Sequence, residues 1–292
     1  MTYRMPRRRA QAGSIEAFSL DAAATVVDAA GNFFAANRAD DAFPPPPPLP
    51  FTVPHRCLVV VPTYNERANV GPIVDSIRHW LDADVLIVDD ESPDGTGAES
   101  DRIAAHDRRV RVLHRPAKMG LGSAYVEGFR VAIREGYGRV FEMDADFSHS
   151  PWDLPRLAQA SLNSQLVIGS RYVPGGSTTG LSFHRRLLSR GGNVYAGLFL
   201  GNAVRDWTAG FRCFDVDSLS RIDLDGIAAH GYAFQIEMAW RFLRAGMSVV
   251  EVPIRFSDRA LGDSKMTYAI AREAAGLVPA LRFRARKAAR RS

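Results

Sequence analysis

A chain of 292 residues, 46% hydrophobic and 24% charged, carries enough apolar side chain for a sizeable core, which excludes a wholly disordered or fibrous protein. Its formal net charge of +5 suits an anionic partner (a nucleotide, a phosphorylated substrate or an acidic membrane surface). Its two cysteines, Cys57 and Cys213, lack metal-type spacing, which excludes a disulfide scaffold or a thiolate metal site and points to reduced structural thiols.

Residues 1–53 read as an N-terminal arm. The basic start "MTYRMPRRRAQAG" has no adjacent apolar core of the signal-peptide type. An Ala-rich stretch at 22–36 is interrupted by Gly31, and consecutive prolines within 44–50 favour polyproline II, so 42–52 is expected to be a stiff tether. The composition of the arm suggests disorder, or ordering by a partner.

From Cys57 the texture changes. Apolar runs of strand length at 57–62, 84–90, 109–115 and 139–144 alternate with helical patterns at 66–81, 95–107 and 122–136. Near-continuous apolar strands alternating with helices predict an α/β domain, with a mostly parallel sheet covered on both faces. A further apolar strand is expected at 165–169. No run of about 18 apolar residues occurs, so no transmembrane helix is expected. The domain is expected to span 54–258, and 259–292 to form a C-terminal acceptor- and membrane-proximal segment with a basic tail.

The polar punctuation falls at the carboxyl ends of strands, where such sheets bind ligands. "PTYNE" (62–66) follows the first strand, "DDESPDGT" (89–96) the second and "DADFSHSP" (144–151) the fourth. Asp144 and Asp146, one residue apart at a strand end, can jointly hold a hard divalent cation, with Mg²⁺ or Mn²⁺ suited to their oxygens. Asp153 reads instead as a cap for the next helix. No P-loop, GxSxG or HExxH motif is present, and "GLGSAY" has Tyr125 where a dinucleotide fingerprint needs its third glycine.

"VVVPTYNERANV", "VLIVDDESPDGTG", "KMGLGSAYVEGF", "FEMDADFSH", "VIGSRYVPGG", "WTAGFRCF" and "RALGDSKM" occur in that order between about residues 57 and 270. Together they resemble glycosyltransferase family 2, with its Rossmann-like GT-A fold, and within it the polyprenol (dolichyl) phosphate mannose synthases. The resemblance implies inverting transfer of mannose from GDP-mannose to a polyprenyl phosphate. A glucose or other hexose donor, or a soluble sugar-nucleotide glycosyltransferase using Asp206 or Glu237 as base, are the alternatives.

By resemblance, Asp144, Asp146 and Arg171 are the catalytic candidates. Pro62, Tyr64, Glu66, Asp89, Asp90, Lys118, Gly122, Asp144 and Ala145 would line the nucleotide-sugar pocket. The metal would sit on Asp144, Asp146 and the position of Ser148, where several relatives carry Gln; Ser148, His149 or water would complete its shell. The acceptor phosphate is already anionic and needs cations more than a base, so Arg171, Arg185, Arg255 and Lys265 are its candidate binders. Replacing Arg171 with Ala should cost activity without unfolding the chain.

The acceptor implies a membrane. The segment 184–201 has a basic head and an apolar tail, and 281–291 holds five arginines and one lysine. No nucleic-acid module appears. The expected location is cytoplasmic, peripheral on the cytoplasmic face of the membrane, with a membrane-anchor protein as a candidate partner through residues 1–50.

Overall fold

The computed structural model describes residues 50–227, 229, 231–257 and 276–283. The Ala-rich stretch, most of the proline tether, Lys265 and most of the basic tail lie outside the described residues.

Strand β1 (Cys57–Thr63) leads into helix α1 (Arg67–Trp80), then β2 (Asp84–Asp89), α2 (Thr96–His106), β3 (Val110–His114), α3 (Leu121–Arg134) and β4 (Arg139–Glu142). These elements lie within a residue or two of their predicted bounds. After β4 come the short helix α4 (Leu154–Ala160), β5 (Leu166–Ser170), β6 (Ser177–Thr179) and the long helix α5 (Phe183–Leu200). Then follow β7 (Arg212–Asp215), the single turn α6 (Val216–Leu219), α7 (Gly231–Arg244), β8 (Val249–Pro253) and β9 (Arg255–Ser257). A further helical stretch covers 276–283.

Seven strands form one sheet in the order β3-β2-β1-β4-β7-β5-β8, while β6 and β9 make a separate parallel pair. Within the large sheet β7 runs antiparallel to both β4 and β5, and the remaining pairings are parallel. The fold is thus α/β with a mostly parallel sheet flanked by helices, as predicted. The reversed strand matters for function: it brings the amino end of β7, not its carboxyl end, to the rim where β1, β2, β4 and β5 finish.

Strand alternation sends side chains to two cores. Leu58, Val60, Leu86, Val88 and Val140 pack on one face with Tyr125, Phe129, Phe214 and Phe234. Val59, Val61, Val85, Ile87 and Phe141 pack on the other with Val70, Ile73, Ile77, Leu154 and Leu157. Burial on both faces explains why these strands read as continuous apolar runs. Helix α3 lies so close to β1 that a Cβ at Gly128 would stand 2.6 Å from the Val60 methyls.

Candidate active site

Three loops leave the rim after β1, β2 and β4. Each contains a non-glycine residue in the left-handed region: Asn65 at φ 59°, Glu91 at 54° and Phe147 at 59°. Among the described residues no other non-glycine residue has positive φ, so backbone strain is concentrated where a ligand would bind.

The first two loops are sewn together. Asp89 accepts the Thr63 hydroxyl at 2.9 Å, and the Ser92 hydroxyl and amide at 2.6 and 3.1 Å. The Asn65 amide donates to Ser92 Oγ at 3.0 Å, the Glu66 amide to Thr96 Oγ1 at 2.9 Å and the Arg67 amide to Asp94 at 3.2 Å. Asp90 accepts from Arg115 Nε at 2.5 Å and from the amides of Met119 and Gly120 at 3.1 and 3.2 Å. Asp89 and Asp90, two of the acids expected in the nucleotide pocket, are therefore buried and already hold protein donors. Asp89 shapes its own loop, and Asp90 draws the 118–122 segment onto the rim.

Pro62, Tyr64 and Glu66 remain half-buried beside them. The Lys118 ammonium stands 3.9 Å from the centre of the Tyr64 ring, and Glu66 accepts from Asn69 at 2.8 Å. Gly122 faces inward: a Cβ there would meet the Phe234 ring at 3.0 Å, so its lack of a side chain serves the packing of α3 against α7.

The loop after β4 brings the carboxylate pair to the rim. Asp144 keeps 31% of its side-chain surface, while Asp146 is buried and accepts the Ser148 amide at 3.0 Å. The left-handed Phe147 makes that tight turn possible. Tyr125 Oη donates to Asp144 Oδ1 at 3.2 Å, and the Asp144 amide donates to His149 Nδ1 at 3.2 Å. Ala145 and Ser148 are buried, and the Ser148 carbonyl accepts the Ser257 amide at 3.2 Å. Asp153 stands at the N-cap position of α4, but no side-chain capping bond forms; its carboxylate pairs with Arg156 at 2.7 Å.

Arg171, just past β5, is buried and not a free surface cation. Its guanidinium grips Asp206 through Nε at 2.8 Å and Nη2 at 2.7 Å, and reaches Thr208 at 2.8 Å. The Arg171 amide adds a bond to Asp206 at 2.9 Å. Burial would raise the Asp206 carboxyl, but Arg171 holds it below the usual carboxylate range. The pair locks the 206–210 segment, which the reversed β7 delivers to the rim. Arg171→Ala, expected from the sequence to leave the chain folded, therefore removes a buried ion pair as well as a rim cation.

The Arg171 guanidinium also lies 5.3 Å from the Phe256 ring, and Phe256 stands edge-on to His149 with ring centroids 5.7 Å apart. Arg255 opens the same strand, half-buried, and Arg185 lies in the first turn of α5. The structure thus brings Asp144, Asp146, His149, Arg171 and Asp206 around β9.

Beneath the loop, Glu142 and Arg212 face each other in register across β4 and β7, both fully buried. Burial pushes the Glu142 carboxyl up to about 8 against the attraction of Arg212. Arg212, pushed down to about 10 by burial, donates to the carbonyls of Trp207, Ala209 and Gln235.

Among the described residues no three His, Cys, Asp or Glu side chains are placed to share a metal ion. Two carboxylates on one loop, with oxygen donors only, fit a hard divalent cation that completes its shell with water and phosphate oxygens.

The family model for glycosyl transferase family 2 matches residues 58–223. The chain belongs to this family. It is 48% identical over 222 residues to a polyprenol monophosphomannose synthase of Mycolicibacterium smegmatis, covering 75% of this chain and 84% of that protein. An undecaprenyl-phosphate mannosyltransferase of Micrococcus luteus is 47% identical over 220 residues, covering 75% of this chain and 90% of that one. Among solved structures, a glucosyl-3-phosphoglycerate synthase of Mycobacterium tuberculosis, in complex with Mn²⁺, UDP-glucose and phosphoglyceric acid, superposes with a TM-score of 0.58. That match has 21% identity and covers 78% of this chain and 80% of the other, a likeness of fold. The glycosyltransferase resemblance read from the motif order is borne out, and the chain is a glycosyltransferase.

Proposed function

We propose that this glycosyltransferase moves mannose from GDP-mannose to the phosphate of a polyprenyl lipid, with inversion, at a membrane surface. The observation that carries the proposal is the match over 75% of this chain, at 47–48% identity, to two enzymes named for mannosyl transfer to polyprenyl or undecaprenyl carriers.

The chemistry of the site supports it. A sugar hydroxyl would need a base on the rim, and the two carboxylates considered for that role are both engaged. Asp206 is sealed against Arg171, and Glu237 is buried and pairs with Arg241 at 2.6 Å. A phosphate monoester is ionised near neutral pH, since its second pKa is about 6, and attacks without a base. It needs cations to approach a second anion, and Arg185, Arg255 and Lys265 are assigned to it. Arg171 contributes by fixing the 206–210 segment and lining the approach beside β9.

On the donor side, Tyr64, Glu66 and Lys118 border the nucleotide, on a rim that Asp89 and Asp90 keep rigid. Asp144 and Asp146 would hold Mg²⁺ or Mn²⁺. A bound ion supplies Lewis-acid neutralisation of the departing diphosphate. Rigid acidic and basic groups at fixed positions give the reaction its orientation without reorganisation at the moment of transfer.

Helix α5 supports the membrane part. Phe183, Leu187, Val194 and Leu198 are exposed, at 72, 60, 64 and 80%, and their i, i+4, i+11, i+15 spacing places them on one stripe. Arg186 and Arg190 flank it, while Asn193, Ala196 and Leu200 face inward. An apolar stripe bordered by arginines suits an interface with acidic headgroups. No described helix is long and apolar enough to cross a membrane. Contact on the cytoplasmic face, with or without a separate anchor protein, is part of the proposal.

The test is transfer from labelled GDP-mannose to a short polyprenyl phosphate, with and without Mg²⁺ or Mn²⁺. Label should enter the organic phase and should vanish with EDTA. Label that remains in water-soluble products would refute the acceptor assignment.

A further inference from the structure

We infer that His149 and Tyr125 are positioning residues that hold Asp144 from two sides, so that the metal-binding carboxylate is set before donor arrives. The inference rests on the metal role proposed for Asp144 and goes beyond it.

Asp144 is the more exposed of the two rim acids and stands at the start of a strained loop, so something must fix it. Tyr125 approaches from α3. Its ring is wholly buried and stacks near Phe129 and Phe234, with centroids 6.4 and 6.3 Å away, and its hydroxyl reaches Asp144 Oδ1 at 3.2 Å. A carboxylate accepts and a phenol donates, so the direction of this bond is settled.

His149 approaches from the far end of the same loop. A backbone amide can only donate, so the 3.2 Å contact from the Asp144 amide makes Nδ1 the acceptor and leaves the proton on Nε2. The ring is clamped: it stacks on Phe211 at 5.2 Å with planes 15° apart, and Phe256 closes its edge. Its backbone is bridged to Phe256, and the neighbouring Ser148 carbonyl takes the Ser257 amide. Gly210 lies against the same ring, with a Cβ there placed in ordinary contact at 3.5 Å from His149 Cε1. The same Phe256 ring lies against the Arg171 guanidinium, so the imidazole joins the acceptor side of the rim to the carboxylate pair.

Groups that orient a metal-binding side chain through hydrogen bonds change metal affinity by about 10- to 100-fold when removed. The His149→Phe variant keeps the stacked ring and removes the acceptor. The His149→Asn variant restores an acceptor near Nδ1. The Tyr125→Phe variant removes only a hydroxyl. Binding of Mn²⁺ in the presence of GDP, read from loss of the free-ion electron paramagnetic resonance signal, separates these roles without relying on turnover.

We expect about tenfold weaker Mn²⁺ binding in His149→Phe, recovery to within about threefold of wild type in His149→Asn, and a loss of about threefold or more in Tyr125→Phe. The Mn²⁺ needed for half-maximal transfer should rise in parallel, with the KM for polyprenyl phosphate unchanged. Wild-type Mn²⁺ affinity in folded His149→Phe and Tyr125→Phe would overturn the inference. Should His149→Phe fail to fold, Tyr125→Phe decides alone. If the wild-type protein binds no Mn²⁺ with GDP, the metal role of Asp144 falls, and the positioning role falls with it.

Discussion

Replacing Arg171 with Ala should destabilise the protein strongly, and by an amount that depends on pH. Asp206 is fully buried and depends on that guanidinium for two charge-assisted bonds, at 2.8 and 2.7 Å. The Arg171 amide would remain, as would longer contacts from Asn193 and Thr208 at 3.4 Å each. Removing one member of a buried ion pair costs about 3–5 kcal/mol, because the other charge is left desolvated. In the wild type the Asp206 carboxyl is held below its usual range, so its contribution to stability is present at neutral pH and lost as pH falls through that depressed value. In Arg171→Ala the burial that opposes ionisation is countered only by the remaining amide bond, the longer contacts and the attraction of Arg212. The penalty should then be largest near neutrality and shrink in acid, where the carboxyl takes up a proton. Urea unfolding of wild type, Arg171→Ala, Asp206→Asn and the double variant at several pH values measures this directly. The double variant should recover about 1–2 kcal/mol of the loss, the desolvation cost of the unpaired carboxylate. A single-variant loss below about 1 kcal/mol, the size of an exposed pair, would refute the argument.

Two further outcomes follow from other parts of the molecule. Burial raises the Asp153 carboxyl to about 6 despite its pairing with Arg156, so the folded state holds that proton more tightly than the unfolded chain. Stability should therefore decline as pH rises towards about 6, by at most about 1.4 kcal/mol per pH unit from this group, and Asp153→Asn should flatten that slope. An unchanged slope on urea titration would count against the burial argument. On α5, Leu198 is 80% exposed, so Leu198→Asp should leave the melting temperature unchanged while weakening co-sedimentation with anionic liposomes. The expected loss is about tenfold, from the apolar burial it removes. Equal binding by the variant would remove this helix from the membrane contact.

The first half of the domain was legible because its strands are buried on both faces and its helices are amphipathic. Burial and period then write themselves into the sequence from β1 to β4. The carboxylate pair was legible for the same reason: a polar break at the end of an apolar strand has to lie on the rim. Strand β7 was harder. Four residues running antiparallel between two parallel neighbours carry no local mark of their direction, and that direction is what puts Asp206 beside Arg171. The partners of the rim acids were hidden by distance along the chain: Arg115 lies 25 residues from Asp90, and Asp206 lies 35 from Arg171. In the sequence Tyr125 stands out only as the residue that spoils a glycine fingerprint, although its hydroxyl reaches Asp144. His149 reads from the sequence as a candidate member of the metal shell, and nothing there shows that its Nδ1 accepts the Asp144 amide.

The central claim is that Asp144 and Asp146 organise sugar-nucleotide transfer onto a lipid phosphate. Mass spectrometry of the organic phase, after incubation with GDP-mannose, UDP-glucose and a short polyprenyl phosphate together, tests it most directly. The account predicts a single polyprenyl-phosphate hexose derived from GDP-mannose, absent with EDTA and absent in Asp146→Asn. A glucose-derived product, or undiminished product from Asp146→Asn, would contradict it.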